Sequence, residues 1–236
     1  MTEDLLSLSP DVFRAFLFDL TAVSPDNYVI GGISMNNKKS FSTRKMVIIG
    51  MMTAIATVVY YLDFSVPLMP SFIKLDFSNV ISLLTGFALG PIEGVVVCLL
   101  KNLIHVLIKG FGTTMGIGDI FDFVTSAVFV LAAAMIYKRN KTKKGAIVAT
   151  LIGMSAFALI SLPLNYFIVY PIYFKAYGGE AAILGAYKAI MPDVKNIFAA
   201  LCIFNLPFTL IKGVLCSLIT LFVYKPLSPI LKSNKN

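Results

Sequence analysis

This chain is short of charge: 14% of its 236 residues are charged, against 58% that are hydrophobic, with a mean hydropathy of +0.85. So few charges exclude a soluble globular domain of this length and indicate an integral membrane protein. Cysteine is also sparse. Cys98, Cys202 and Cys216 all fall in apolar runs with no C-x-x-C or Cys/His spacing, so neither a disulfide framework nor a metal site is indicated and they read as small packing residues. The glycine-rich stretch Lys109–Phe123 lacks G-x-x-x-x-G-K-[ST], which excludes a nucleotide-binding loop and leaves an adaptable lid as its expected role. No internal repeat supports an inverted-repeat carrier. No basic segment followed by a long apolar region and a cleavage site marks a secretory signal.

What is present is a series of apolar segments, at about Met46–Leu62, Phe77–Gly90, Ile92–Ile108, Ile120–Tyr137, Ala146–Tyr170 and Ile197–Tyr224. A spanning helix takes ~20 residues, and six helices is the simplest count, an all-α membrane bundle. The second segment is short and meets the third at "LGPIEG", where Gly90-Pro91 breaks the helix. The net charge of +8 is distributed as a topology signal rather than a nucleic-acid surface. Lys38, Lys39, Arg44 and Lys45 precede the first segment, Lys138, Arg139, Lys141, Lys143 and Lys144 fill one turn, and Lys225, Lys232 and Lys235 follow the last segment. Six crossings with both termini in the cytoplasm place all three clusters there.

Three parts are expected along the chain: an acidic extension over 1–34, a membrane domain over 35–227 and a basic tail over 228–236. In the extension, Asp11–Val23 could form a weak amphipathic helix. The alternatives are a disordered segment, or an upstream start with Met35 as the physiological one.

An intramembrane charge costs at least ~3 kcal/mol on insertion scales, which singles out Lys212. Counting back from Tyr224 at about 1.5 Å per residue puts it roughly 18 Å into the last helix. Asn205, Thr209, Lys212 and Cys216 are spaced i, i+4, i+7, i+11, one polar stripe on one helical face. Two readings are open for Lys212: a structural pair with a carboxylate or helix-end carbonyls, or a ligand site. In the fifth segment Ser161 and Asn165 are one turn apart, Pro163 can bend the helix, and Tyr166, Tyr170 and Tyr173 read as an interfacial belt. Cys98, Asn102, His105 and Lys109 share a face of the third; His105 reads as structural, and Asp119 and Asp122 read as carboxylates at a helix N-terminus. Glu93 and Asp122 are the acidic groups within or at the ends of the segments, so no acidic relay for ion coupling is indicated. Such a protein binds a solute and depends on an energised partner to move it. The first segment spaces Gly50 and Ala54 by four, with Thr53 and Thr57 beside them, a small-residue groove for close helix contact.

"FIKLDFSNVISLLTGFALGPIEGVVV" (Phe72–Val97), "LNYF" in the fifth segment and "LPFTLIKG" (Leu206–Gly213) together resemble the riboflavin-binding S components of energy-coupling factor (ECF) transporters, over about Met35 to Leu227. The resemblance implies a six-helix subunit that captures riboflavin from outside as transported ligand, with no cofactor and no enzymatic activity. It implies delivery with a transmembrane coupling subunit and two cytoplasmic ATPases in a prokaryotic plasma membrane. Its ligand-contacting asparagine and lysine match Asn165 and Lys212. Its second asparagine falls on Thr209, which keeps a hydroxyl and loses the amide's two donors, and Asn205 one turn earlier is a supporting candidate. The loop from Asp63 to Asp76, with Pro67, Met69 and Lys74 inside it, is the implied outer gate, and Gly50 with Ala54 the implied contact for the coupling subunit. The alternatives are an S component for another vitamin or a purine-like solute, or a stand-alone secondary carrier.

Overall fold

The computed structural model describes residues 43–111 and 116–232, with side chains described through Val223. The expectations for 1–34 lie outside these residues, as does part of the glycine-rich stretch. The chain divides at Met46: the residues from Val47 onward form one compact unit, while Thr43–Met46 is described as the first turn of a helix.

Helix α1 spans Thr43–Tyr61 and leads into a hairpin of β1 (Phe64–Ser65) and β2 (Lys74–Leu75), antiparallel with Phe64 opposite Leu75. Then come α2 (Ser78–Ala88), α3 (Pro91–Lys109), α4 (Ile117–Arg139), α5 (Lys143–Ala176) and α6 (Glu180–Lys188). The last helix, α7, begins at Ile197–Ala200, passes through Leu201–Asn205 and continues as Leu206–Lys232. Every apolar segment is helical. Five of these helices are long and apolar enough to cross a membrane, and α2, at 11 residues, is the shorter sixth. The exposed apolar side chains of α3 to α5, such as Leu103, Leu107, Leu131, Met135, Leu151 and Leu159, are what a hydrocarbon environment accommodates without cost.

Helix α4 packs between α3 and α5, while α7 packs on α5 and α2. Phe87, Phe129, Val130, Ala133, Ala149 and Phe157 are buried between them. Because lipid tails compete as well as leucine does for apolar contact, packing in such a bundle depends on close backbone approach at small residues. The α2–α3 corner shows it. Gly90, at φ +141°, makes the turn, and Pro91 starts α3 where a missing N–H is harmless. One turn on, a Cβ on Gly94 would stand 2.8 Å from Gly86 Cα and 2.9 Å from the Ser82 carbonyl oxygen. The two helices cross through that gap.

Helices α5 and α7 each contain one π turn, at Asn165–Val169 and Leu201–Asn205, with the Tyr170 amide donating to the Asn165 carbonyl and Leu206 to Leu201. The cause is in the sequence. Pro171 and Pro207 each follow a π turn by two residues, and a proline ring collides with the carbonyl four residues back. Those carbonyls, on Phe167 and Ile203, lie within the widened turns. Pro163, read from sequence as the bend, sits in an α-helical stretch that continues past it, and the departure comes at Asn165.

The first helix presents Gly50, Ala54 and Val58 at its surface, whereas Thr53 and Thr57 are buried. This corrects the reading that put those threonines beside the groove: three and four residues are neighbours on a helix, but the step from Gly50 to Thr53 already turns toward α3, where Val97 packs with Ile49 and Ala56.

Gly94→Ala is expected to cost about 1–3 kcal/mol by overpacking, lowering the thermal midpoint of the detergent-solubilised protein. Gly50→Ala, whose added methyl meets nothing within 4 Å, should not lower it.

Candidate ligand-binding site

A cavity of about 490 Å³ opens at the hairpin end of the bundle, walled by the hairpin, α3, α4, α5 and α7. Its apolar and aromatic walls include Phe72, Phe157, Val169, Tyr173 and Phe208, and its polar groups include Asp76, Asp122, Asn165, Thr209 and Lys212.

Lys212 is paired with a carboxylate and also lines the cavity; its Nζ lies 2.7 Å from Asp76 Oδ2 in a buried ion pair. Asp76, expected in the outer loop, sits at the root of the hairpin, where β2 hands over to α2, and is 3% exposed. It is tied down locally. Its Oδ1 accepts from the Ser78 amide at 3.0 Å and the Ser78 hydroxyl at 2.5 Å, which anchors the start of α2. Burial by itself would push the Asp76 carboxyl up, but the ammonium of Lys212 and then that of Lys101 outweigh it and hold the group well below the usual carboxylate range.

A second buried lysine completes the arrangement. Lys101, fully buried on α3, donates to Ser78 Oγ at 2.5 Å and Asn79 Oδ1 at 2.9 Å, and lies 2.9 Å from Asp122 Oδ2. Its ammonium also stands 4.8 Å from the centre of the Tyr60 ring, within cation–π range. Asp122 in turn is 3.6 Å from Lys212. Two lysines and two aspartates thus form a closed, neutral ring bridged by Ser78. This corrects two readings. Asp122 is not an N-terminal carboxylate of α4: that helix starts after Gly116, and Asp122, beyond its first turn, faces Lys101. The count of buried acids must also include Asp76.

The signal for Lys101 is the one that singled out Lys212, an ionisable residue inside an apolar helix. It is three residues from Cys98 and four from His105, on the face already identified. His105 itself pairs with Asp119, Nδ1 to Oδ1 2.5 Å, and Tyr60 donates to the same oxygen at 3.2 Å.

Of the predicted stripe of α7, Asn205, Thr209 and Lys212 line the cavity, with different duties, while Cys216 is buried in the apolar core. Thr209 donates to the Asn205 carbonyl at 2.8 Å and lies 3.3 Å from Ser161 Oγ. Asn205 Oδ1 accepts from Tyr187 at 2.7 Å, and its Nδ2 donates to the Tyr170 hydroxyl at 3.1 Å, while the two tyrosine hydroxyls bond to each other. Tyr170, expected in an interfacial belt, is therefore buried, at 1% exposure, because its hydroxyl has this partner inside. Asn165 donates one amide hydrogen to the Ser161 carbonyl at 3.0 Å. The same nitrogen lies 3.4 Å from Ser161 Oγ as a second acceptor, and Asn165 forms part of the cavity wall. On the hairpin, Lys74 and Asp63 pair at 2.9 Å near the surface, with Pro67 exposed and Met69 half-buried at the tip.

The family described as ECF transporter, substrate-specific component, matches residues 44–224. The chain belongs to that family. The S component is 30% identical over 202 residues to the riboflavin transporter RibU of Staphylococcus aureus (strain TCH60), covering 84% of this chain and 99% of the relative. Over 193 residues it is 28% identical to the riboflavin transporter FmnP of Bacillus subtilis (strain 168), covering 82% and 96%. A solved S component of a bacterial ECF transporter matches its fold with a TM-score of 0.63 at 30% identity, covering 80% of this chain and 98% of that one. The S component is thus an integral membrane subunit of a transporter rather than an enzyme.

Removing one partner of a buried pair costs about 3–5 kcal/mol, so Asp76→Asn should lower the thermal midpoint at pH 7. Because the folded-state carboxyl is held below its unfolded value, its contribution is fully present above the unfolded pKa of about 3.9. The gap between wild type and variant should stay constant from pH 8 to 5 and close as the pH falls below about 4, which thermal scans across pH will measure.

Proposed function

We propose that this S component binds riboflavin in the cavity between the hairpin and helices α4, α5 and α7, for uptake by an ECF transporter. The observation that carries the reading is the match of chemistry between ligand and wall. Riboflavin has flat apolar rings, a ring edge of donors and acceptors, and a neutral chain of hydroxyls. The cavity sets aromatic and aliphatic walls around a few polar groups whose net charge in the ion-pair ring is zero, the usual composition of a small-molecule site. The riboflavin transporters among its relatives support the same ligand.

Lys212 is the main donor. An ammonium has three N–H groups, one of which is committed to Asp76, leaving others for the ligand. Asn165 contributes its amide oxygen as an acceptor, and Thr209 a hydroxyl. Asn205, whose amide is taken up by two tyrosines, acts by holding the wall. The hairpin from Asp63 to Asp76, with Pro67 and Met69 at its tip, Lys74 on β2 and Asp76 at its root, serves as the outer gate. The basic turn Lys138–Lys144 faces the cytoplasm, in keeping with the positive-inside rule. The exposed stripe of Gly50 and Ala54 is the contact for the transmembrane coupling subunit, which with two ATPases drives delivery.

Titration of the purified protein with riboflavin, followed by quenching of flavin fluorescence, should show saturable binding with one ligand per chain. A folded sample that shows none defeats the assignment. Lys212→Met is expected to weaken binding at least tenfold and also to destabilise the ligand-free protein, since it strands Asp76. Combining Lys212→Met with Asp76→Asn should restore much of that stability without restoring binding; recovery of both would make the lysine purely structural.

Ala54→Leu should leave riboflavin binding intact and abolish uptake in cells that depend on this transporter. Normal uptake would remove the α1 stripe from the coupling interface.

A further inference from the structure

The buried charges around the cavity are unequally satisfied, and the difference singles out Asp122. It is 8% exposed and forms part of the cavity wall. Its Oδ2 is crowded with donors: Lys101 Nζ at 2.9 Å, Asn102 Nδ2 at 3.1 Å and Ser126 Oγ at 3.3 Å. Its Oδ1 stands 3.6 Å from Lys212 Nζ, outside hydrogen-bonding range. Asp76 provides the contrast, with two bonds from Ser78 on one oxygen and Lys212 at 2.7 Å on the other. A carboxylate oxygen of a cavity-lining residue, with no donor among the described residues within hydrogen-bonding range, is placed to accept one from a ligand.

The position of Lys212 says which kind of ligand atom fits. Its ammonium is pinned to Asp76 on one side and stands beside Asp122 Oδ1 on the other, so a donor and an acceptor lie 3.6 Å apart on one cavity wall. An ammonium can only donate and a carboxylate oxygen can only accept. Their complement is a ligand edge carrying a carbonyl and an N–H on adjacent atoms, as a lactam or imide does. Resting on the riboflavin reading above, we propose that Asp122 is a specificity-determining residue: its Oδ1 accepts the imide N–H of the isoalloxazine ring while Lys212 donates to the neighbouring carbonyl. The pair then demands a hydrogen at that ring nitrogen. Lys101, Asn102 and Ser126 are positioning residues, since by occupying Oδ2 they turn Oδ1 toward the ligand.

The test compares riboflavin with N3-methylriboflavin, which lacks that hydrogen. Sites built around a hydrogen bond reject analogues that cannot make it by large factors, and the wild-type protein should bind the methylated flavin at least about 50-fold more weakly. In Asp122→Asn the amide oxygen is drawn to the Lys101 side, its NH₂ faces the cavity, and the acceptor is lost. Riboflavin should then bind nearly as weakly as its methylated form, with the ratio falling to about fivefold or less. A merely structural Asp122 would weaken both flavins alike and leave the ratio unchanged, which would overturn the proposal. If Asp122→Asn does not fold, the same ratio is read in the charge-neutral combination of Lys101→Met with Asp122→Leu, which has no acceptor at that position. A wild-type protein that binds both flavins within about fivefold refutes this role alone. One that binds neither refutes the ligand assignment, and this role with it.

Discussion

Everything at the hairpin end of this protein is arranged around a neutral ring of buried charge. Moving a lysine or an aspartate out of water costs several kcal/mol even after relaxation, and a partner in good geometry is what offsets it. Four such groups from the start of α2, from α3, α4 and α7 therefore constrain one another: Asp76 with Lys212, Lys101 with Asp122, and Ser78 between them. The ring ties the last helix to the first turn of α2 and so to the root of the hairpin. Because it is neutral as a whole, it can line a site for a neutral molecule while giving that site strong local donors and acceptors.

The bundle beneath the ring supplies rigidity by other means. Where α2 crosses α3, and where α4 meets α5 at Ala133 and Gly153, backbones come close enough that a single methyl has no room. Such contacts do not depend on expelling water, which lipid-facing helices cannot exploit among themselves. Polar groups near the cavity are held just as firmly. The amide of Asn205 is locked between Tyr170 and Tyr187, and Tyr187 is carried by α6, so that this short helix is fastened to the cavity wall by a hydrogen bond as well as by the apolar contacts of Ile183.

How much of this was legible beforehand depended on the distance over which each fact is encoded. The helices announce themselves locally, by apolar length and by Gly90-Pro91. The stripe of Asn205, Thr209 and Lys212 follows from helical spacing within one segment, and those three residues do line a common cavity with Asn165. The partner of Lys212 could not be read that way, since Asp76 is 136 residues away and lies in a short connection that resembles an ordinary loop. Lys101 was legible in principle, as a charge inside an apolar helix on the face of Cys98, Asn102 and His105, but its partners Asp122 and Ser78 lie on other segments. Asp122 was misjudged for the opposite reason. Its nearness to the start of α4 offered a local explanation, and the tertiary partner on α3 prevailed. Tyr170 likewise has the composition of an interfacial residue and is buried because another tyrosine and an asparagine await its hydroxyl.

The π turns have a consequence for how this chain tolerates change in length. Each fits one extra residue into a helix, which rotates everything beyond it by roughly 100° relative to an uninterrupted α-helix. Asn165 and Asn205 stand at the margins of those turns, so the angular phase of the cavity wall is set by one residue of excess length in each helix. Winding Leu201–Asn205 as a regular α-helix at its present length would carry Ile197 to Ala200, with α6 behind them, around the axis and away from Tyr170. The helix would survive and the wall would not. Length at these two places is as much a determinant of the site as the identity of any side chain in it.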